Sequence, residues 1–369
     1  MLWVRPNRVG GTEFYIRNIL EGLKQISDKF EAILILSKDN FLTFEKYFTD
    51  KRFKKIVCNV KSENVIKRVL WQNLHLNALL RKENIGICFE PIYSKPFFTS
   101  KKIKFITTIH DLQALHYPTY QNKYKVVWLR LCWKNSINTS HKIIAISNFV
   151  KQDITNNYKV PLDKVLVVYN AINIDLDNVT SFNDISKKYN ILQNNFYYTV
   201  SSLAPHKNLI TIIKVMRDIK YKSIDLPNKL VISGIGGSSK DEIYALIEKY
   251  GLEENILLTG FINDADRNAL YKTCKAFLFP SVFEGFGMPP IEAMAFKTSV
   301  ITTKKASLYE VTEGKALYVD NPYDVNEWIK AMIYLKNLPV QKIELSKYDS
   351  MCIARKYLNF FSKINYGKL

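Results

Sequence analysis

The 369-residue chain contains no run of 18 or more apolar residues, which excludes a helix that crosses a membrane. Its opening, MLWVRPNRVGG, holds no apolar segment of the length a secretory signal needs. Cysteine is sparse. Cys58, Cys88, Cys132, Cys274 and Cys352 are scattered and odd in number, spaced neither as metal ligands nor as a disulfide framework, so the cytoplasm is the expected compartment. Low-complexity segments and internal repeats are absent, and no Gly- or Pro-rich linker precedes the last segment. No D-x-D pair of carboxylates stands at the end of a strand-like run, so neither a metal nor another cofactor is expected.

Acidic residues are the other scarcity. Residues 51–150 hold 18 basic side chains and four acidic ones, against seven of each in residues 1–50, and the whole chain carries a formal charge of +19. A basic half of this kind meets something anionic. Nucleic acid and the inner leaflet of a membrane are both candidates. No nucleic-acid-binding motif occurs, whereas aromatic and basic residues interleave in YKVVWLR at 124–130, which suits an interface. The expectation is a cytoplasmic protein, peripheral at the inner face of the cell membrane, docking through 51–150 and binding no nucleic acid.

What is present can fill two cores. The composition is 47% hydrophobic and 13% aromatic, and the length suggests two domains. The most informative stretch is AFLFPSVFEGFGMPPIEAMAF at 276–296. Its apolar start reads as a buried parallel strand, ended by Pro280 and Ser281. A glycine turn follows, and Pro289 and Pro290 suit the first turn of a helix. The backbone N–H groups of Gly285, Phe286, Gly287 and Met288, with the helix dipole, would make an anion site. Glu284 in the turn and Glu292, expected in the first helical turn, flank it. Carboxylates beside a phosphate are placed to accept hydrogen bonds from hydroxyls, and a ligand carrying phosphates and many hydroxyls is a sugar nucleotide.

The run F-E-G-F-G-M-P-P-I-E-A-M-A, with Glu284 and Glu292 eight positions apart, resembles the E-x7-E signature of the family 4 retaining glycosyltransferases of GT-B fold. The resemblance implies an α/β protein of two Rossmann-like parallel-sheet domains facing a central cleft. Strands alternate with helices through both halves, as such domains require. Residues 1–172 would bind the acceptor and 195–349 the nucleotide-sugar donor. A last helix at about 350–369, with Met351, Ala354, Tyr357, Leu358 and Phe361 on one side, would cross back onto the first domain. Between 173 and 195 the composition shifts to Asp, Asn, Ser and Lys and reads as a hinge.

In the first half, residues 1–4 read as the end of a first strand. A Rossmann-like first strand has several more residues, so the chain is expected to start late. Gly10 and Gly11 open a helix with Phe14, Ile16, Ile19, Leu20 and Leu23 on a buried face. The resemblance places this glycine loop beside the donor diphosphate. Further strands are expected at 32–36, 85–89, 104–108, 142–145 and 165–169. A helix is expected at 62–83, and Ser147 as the cap of another at 148–158. His110 falls at the carboxyl end of the strand at 104–108, where ligands sit in open α/β sheets. By resemblance it contacts the donor sugar or the acceptor. Asp111 reads equally as a general base or as the cap of the next turn.

In the second half, strands are expected at 196–200, 229–233, 256–259, 276–279 and 300–302. SSLAPHKNL at 201–209 resembles the family's diphosphate loop. Lys207 matches the loop's lysine, while Ser202 stands where an arginine is usual. One lysine under-compensates two phosphates, so beside the helix at 285–296 and His206 either a base from the first domain, such as Arg8, or a weakened donor site is expected. Gly260 would help grip the nucleobase, and 303–310 would lie near it. The implied reaction is retaining transfer of a hexose from a nucleotide-diphosphate donor to a glycan or lipid-linked glycan acceptor in surface polysaccharide synthesis. Lys207, Glu284 and His110 would be the catalytic residues. The runs HDLQALHYP and LAPHKN are similar to mannosyl- and rhamnosyl-transferases, which points to GDP-mannose. A GT-B-like sugar-nucleotide epimerase and a non-catalytic nucleotide-sugar or nucleic-acid binder are the alternatives.

Overall fold

The computed structural model describes residues 1–6, 10–234, 236–335 and 341–365. It forms two units, Met1–Asn173 with Ser346–Leu369, and Ile174–Leu345. Arg8, a candidate phosphate ligand, lies outside the described residues.

Unit 1 alternates helices and parallel strands. Helix α1 (Gly11–Gln25) precedes β1 (Ala32–Ser37) and β2 (Phe53–Cys58), and α2 (Val65–Lys82) leads to β3 (Ile87–Glu90) and β4 (Lys104–Ile109). The short α3 (Gln113–His116) and the long α4 (Lys123–Thr139) then lead to β5 (Lys142–Ala145), α5 (Asn148–Tyr158) and β6 (Val165–Val167). Side-chain caps set helix starts here. Asn64 accepts from the Lys67 N–H and Ser147 from the Val150 N–H, each satisfying a donor that the first turn leaves open. The strands pair as β3-β4-β5-β6 and, separately, as β1-β2.

Three expectations are corrected in this unit. Residues 1–4 form a turn rather than a strand: Asn40 Nδ2 donates to the carbonyls of both Met1 and Val4, which takes up acceptors a ladder would use. Phe14 is 36% exposed on α1, and Tyr15 is buried in its place, its hydroxyl bonded to Thr108 and Tyr357. The carboxy-terminal helix α13 (Ser350–Asn365) buries Ile353, Ala354, Tyr357, Phe360 and Ile364, so its inner face is rotated from the one expected.

Unit 2 starts with α6 (Phe182–Tyr189), then alternates β7 (Tyr197–Val200), α7 (Leu209–Tyr221), β8 (Leu230–Ser233), α8 (Lys240–Lys249), β9 (Ile256–Gly260) and α9 (Asp264–Thr273). It continues with β10 (Ala276–Phe279), α10 (Met288–Ala295), β11 (Val300–Thr303), α11 (Leu308–Val311), β12 (Leu317–Val319) and α12 (Val325–Tyr334). The six strands are parallel in the order β12-β11-β10-β7-β8-β9, and their near-continuous apolar side chains reflect cover on both faces. The segment read as a hinge contains α6, which is fastened to α9. Thr180, Lys188 and Tyr189 all bond the Asp266 carboxylate. Polar composition at 173–195 therefore marks an exposed helix as well as a connection.

Candidate functional site

In unit 2 the chain runs from β7 outward to β8 and β9, then returns to the other side of β7 as β10. A reversal of strand order opens a crevice at the carboxyl ends of the two strands that flank it, and ligands of such sheets bind there. The two loops at this reversal carry Lys207 and Glu284. They are stitched together through the main chain: His206 O accepts from the Val282 N–H at 2.8 Å and from Ser281 Oγ at 3.1 Å. The loop after β11 clamps them further. Thr303 Oγ1 donates to Ser281 O, and Ser307 Oγ bonds the carbonyls of Glu284 and Phe286.

Lys207 Nζ lies 2.6 Å from Glu284 Oε1, and both side chains are largely buried. The ammonium also sits over the Phe279 ring, 5.6 Å from its centroid. The pair matters chemically, because a buried lysine and carboxylate each stabilise the charge of the other. Ser202 stands exposed just beyond β7, with Gly260 closing β9 in the left-handed region. The turn after β8 packs on the same loop. Gly234, at φ +130°, lies so close to Ser201 O that a Cβ would fall 1.9 Å from it.

After Glu284 the chain turns through Gly285, Phe286 and Gly287 into α10, which begins at Met288. Gly287 has φ +94°, and a Cβ there would approach Leu308 Cδ2 to 2.7 Å. Glu292 is the fifth residue of α10, in its second turn rather than its first. The two prolines are part of the helix, which starts one residue before them. Tyr271 Oη donates to Glu292 Oε2 at 2.8 Å, and Arg267 Nε lies 3.9 Å from the same oxygen. Neither Tyr271 nor Arg267 stood out in the sequence, since α9 reaches Glu292 only through tertiary packing 21 and 25 positions away.

The expectation that His206 supplies positive charge is corrected. Burial, reinforced by Lys207, pushes its imidazole down to about 4, so at neutral pH it is uncharged. In unit 1, His110 follows β4 and its Nε2 donates to Pro91 O at 2.8 Å, with the Tyr15 ring edge-on at 4.7 Å. Burial lowers this imidazole to about 4 as well, leaving Nδ1 a neutral acceptor. Asp111 Oδ1 accepts from the Gln113 N–H, the turn-capping role. Gly10 is the N-cap of α1 and Gly11 its first residue, both exposed, with open space where side chains would stand.

The two depressed imidazoles carry a pH consequence. Both are neutral in the fold, while an unfolded chain protonates near 6.5, so the stability they contribute is fully present above 6.5 and is lost as pH falls toward 4. The melting temperature is expected to drop by a few degrees between pH 6.5 and 4.5, and His206→Asn to flatten that slope, measured by scanning calorimetry across the window.

Two family models cover nearly the whole chain. "Glycosyltransferase Family 4" matches residues 9–176 and "Glycosyl transferases group 1" matches 181–351. The chain belongs to the family 4 glycosyltransferases. The O-antigen chain mannosyltransferase RfbU of Salmonella typhimurium is 28% identical over 88% of this chain and 87% of its own length. A Campylobacter jejuni transferase, N-acetylgalactosamine-N,N'-diacetylbacillosaminyl-diphospho-undecaprenol 4-alpha-N-acetylgalactosaminyltransferase, is 28% identical over 95% of this chain and 96% of its own. Among solved structures, Anabaena HepE in complex with UDP and glucose superposes with a TM-score of 0.70 at 17% identity, covering 98% of each chain. The fold is the α/β GT-B type. In this glycosyltransferase the loops at the strand reversal of unit 2 are the donor-site candidates.

Proposed function

We propose that the glycosyltransferase moves a hexose, with retention of anomeric configuration and without a metal, from a nucleotide-diphosphate donor to a glycan or lipid-linked glycan in surface polysaccharide synthesis. The Lys207–Glu284 pair at the strand reversal carries this reading. A donor brings a diphosphate for the ammonium and sugar hydroxyls for the carboxylate, so it satisfies both partners at once. The backbone amides at 285–288 and the α10 dipole add stabilisation where the departing diphosphate gains charge. Glu292, fixed by Tyr271, accepts from ribose hydroxyls, and His110 offers Nδ1 to a hydroxyl.

Metal independence is supported by the carboxylate inventory. Among the described residues no three His, Cys, Asp or Glu side chains converge as a metal site, and Asp266 of the Asp264–Asp266 pair that opens α9 is taken by Lys188, Thr180 and Tyr189. Relatives named for O-antigen mannose transfer and for transfer to a diphospho-undecaprenol acceptor support the polysaccharide assignment, and GDP-mannose is the proposed donor. The test is a thermal-shift screen against GDP-, UDP- and dTDP-sugars, followed by release of nucleoside diphosphate with and without lipid-linked acceptor. Glu292→Ala is expected to weaken donor binding about 10-fold or more, and Glu284→Ala chiefly to lower turnover. Wild-type behaviour in both variants would remove these roles. Donor binding without diphosphate release would favour the binder alternative, and donor turnover that needs no acceptor the epimerase.

Membrane docking belongs to the same proposal. One apolar strip runs over unit 1. It starts at Ile66, Leu70 and Leu74 on α2, passes Phe97 and Phe98, and reaches Tyr124, Val127, Trp128 and Leu131 on α4. Asn73 and Asn77 tie α2 to the backbone at 97–100, and Phe97 meets Trp128 with ring centroids 6.0 Å apart. Leu74 and Phe98 are 70% and 75% exposed, and Lys67, Lys101, Lys102, Lys123, Lys125 and Arg130 fringe them in solvent. An apolar strip rimmed by cations suits an anionic leaflet. Co-sedimentation with phosphatidylglycerol vesicles is expected to fall about 10-fold in Leu74→Glu/Phe98→Glu, with turnover on a soluble acceptor retained. Equal binding by both proteins would sink the docking surface.

A further inference from the structure

Behind the Glu292 carboxylate, within unit 2, lies a polar cluster enclosed by aromatic rings. Asn263 caps α9 by accepting from the Asp266 N–H, so the helix starts just beyond β9, at the carboxyl end of the sheet. Arg267 therefore falls in the first turn of α9, at the same edge of the sheet as the loops of Lys207 and Glu284. Tyr271, four positions on, shares its helix face. The Tyr271 ring stands edge-on to both Tyr198 and Phe277, with centroids 5.2 Å away in each case, and Thr298 Oγ1 donates to its carbonyl. A phenol so enclosed holds Glu292 Oε2 in one direction.

Arg267 is oriented from its other end. Its Nη1 lies 2.8 Å from Asp264 Oδ1, on the exposed start of α9. Its Nε is buried without a hydrogen-bond partner among the described residues, yet stands 3.9 Å from Glu292 Oε2. A buried N–H left open is destabilising, and a shift of about 1 Å in the carboxylate brings the two within hydrogen-bond range.

We propose that Arg267 is the positioning residue for the nucleoside half of the donor site, acting through Glu292: it offsets the carboxylate's charge and closes on Oε2 when a ribose hydroxyl engages the other oxygen. The inference rests on the reading of Glu292 as the ribose acceptor. Its necessity is electrostatic. A nucleotide brings its diphosphate into the same site, and a carboxylate without a counter-ion would repel it. The side chains of Arg267 and Glu292 are only 24% and 20% exposed, so water screens that repulsion weakly. Tyr271 supplies direction and Arg267 supplies charge. A lysine would bring the charge without the planar fork that spans Asp264 and Glu292.

The test is a double-mutant cycle. Wild type, Arg267→Leu, Glu292→Gln and the double variant are titrated calorimetrically with GDP and with UDP, and donor KM and kcat are measured with the sugar nucleotide found in the screen. Arg267→Leu is expected to weaken binding of the accepted nucleotide about 10-fold and to raise donor KM to match, with kcat within about threefold of wild type. Arg267→Lys should recover part of the loss. In the Glu292→Gln background the same leucine substitution should change affinity less than about threefold, because the charge through which Arg267 acts is gone. Asp264→Asn gives a second reading from an exposed side chain that leaves the core alone. It frees the guanidinium and is expected to weaken binding about threefold. Wild-type affinity in both Arg267→Leu and Asp264→Asn would overturn the proposal. So would an equal loss from Arg267→Leu in both backgrounds, which would make Arg267 a direct nucleotide contact or a prop of the fold. Wild-type affinity in Glu292→Gln and Glu292→Ala would instead bring down the reading of Glu292, and this inference with it.

Discussion

Replacing Lys207 with alanine is expected to lower kcat/KM by about 10²–10³-fold, the usual cost of losing one group that stabilises charge developing in the transition state. The position makes the loss severe for two reasons. Burial and Lys207 leave His206 neutral, and Ser202 carries no charge, so in the loop after β7 Lys207 is the cation of the proposed donor half-site. Removing it also strands Glu284 as a buried, uncompensated anion beside the phosphates it would then repel. The double variant Lys207→Ala/Glu284→Gln separates the effects. It should recover donor affinity relative to Lys207→Ala while turnover stays low. Steady-state kinetics with the donor found in the screen reads both values. A single variant within threefold of wild type would show that the diphosphate is held elsewhere.

Gly287→Ala is expected to cost about 2–4 kcal/mol of stability, combining a left-handed backbone that L-residues resist with a core contact that must give. The added methyl would stand 2.7 Å from Leu308 Cδ2, and Leu308 is fully buried among the residues under β10 and α10. Relief requires either the first turn of α10 or α11 to shift. A shift of α10 moves the amides at 285–288 and Glu292 together, so donor affinity should fall along with Tm. Thermal melting with and without donor measures both. An unchanged Tm would mean that the turn can re-form without the glycine. Gly285→Ala is the natural comparison, since Gly285 is not held at positive φ.

Much of the fold was legible because parallel strands buried on both faces announce themselves as short apolar runs. β5 and α5 fall within the spans expected of them, and Ser147 caps α5 through its own side chain. The donor loop was legible for a related reason, since a glycine turn followed by prolines is local chemistry. Side-chain pairing was not. That Lys207 and Glu284 meet depends on β7 and β10 lying side by side, 77 positions apart, which no local pattern encodes. The same holds for His206, whose neutrality comes from surroundings gathered from two loops, and for Tyr15, drawn inward by Thr108 and Tyr357. Residues 1–4 misled because apolar side chains can be buried in a turn as readily as in a strand. Leu2 and Val4 are both inside.

In the proposed donor complex, the contact between Lys207 and Glu284 bears on how the enzyme tells intact donor from spent product. Each partner must let go of the other before it can grip a guest, so a guest that engages only one leaves its mate without company. Nucleoside diphosphate alone satisfies the cation and abandons the acid; a bare sugar does the reverse. Only the joined molecule turns both keys, which loosens the hold on product as soon as the glycosidic link to the phosphate is cut.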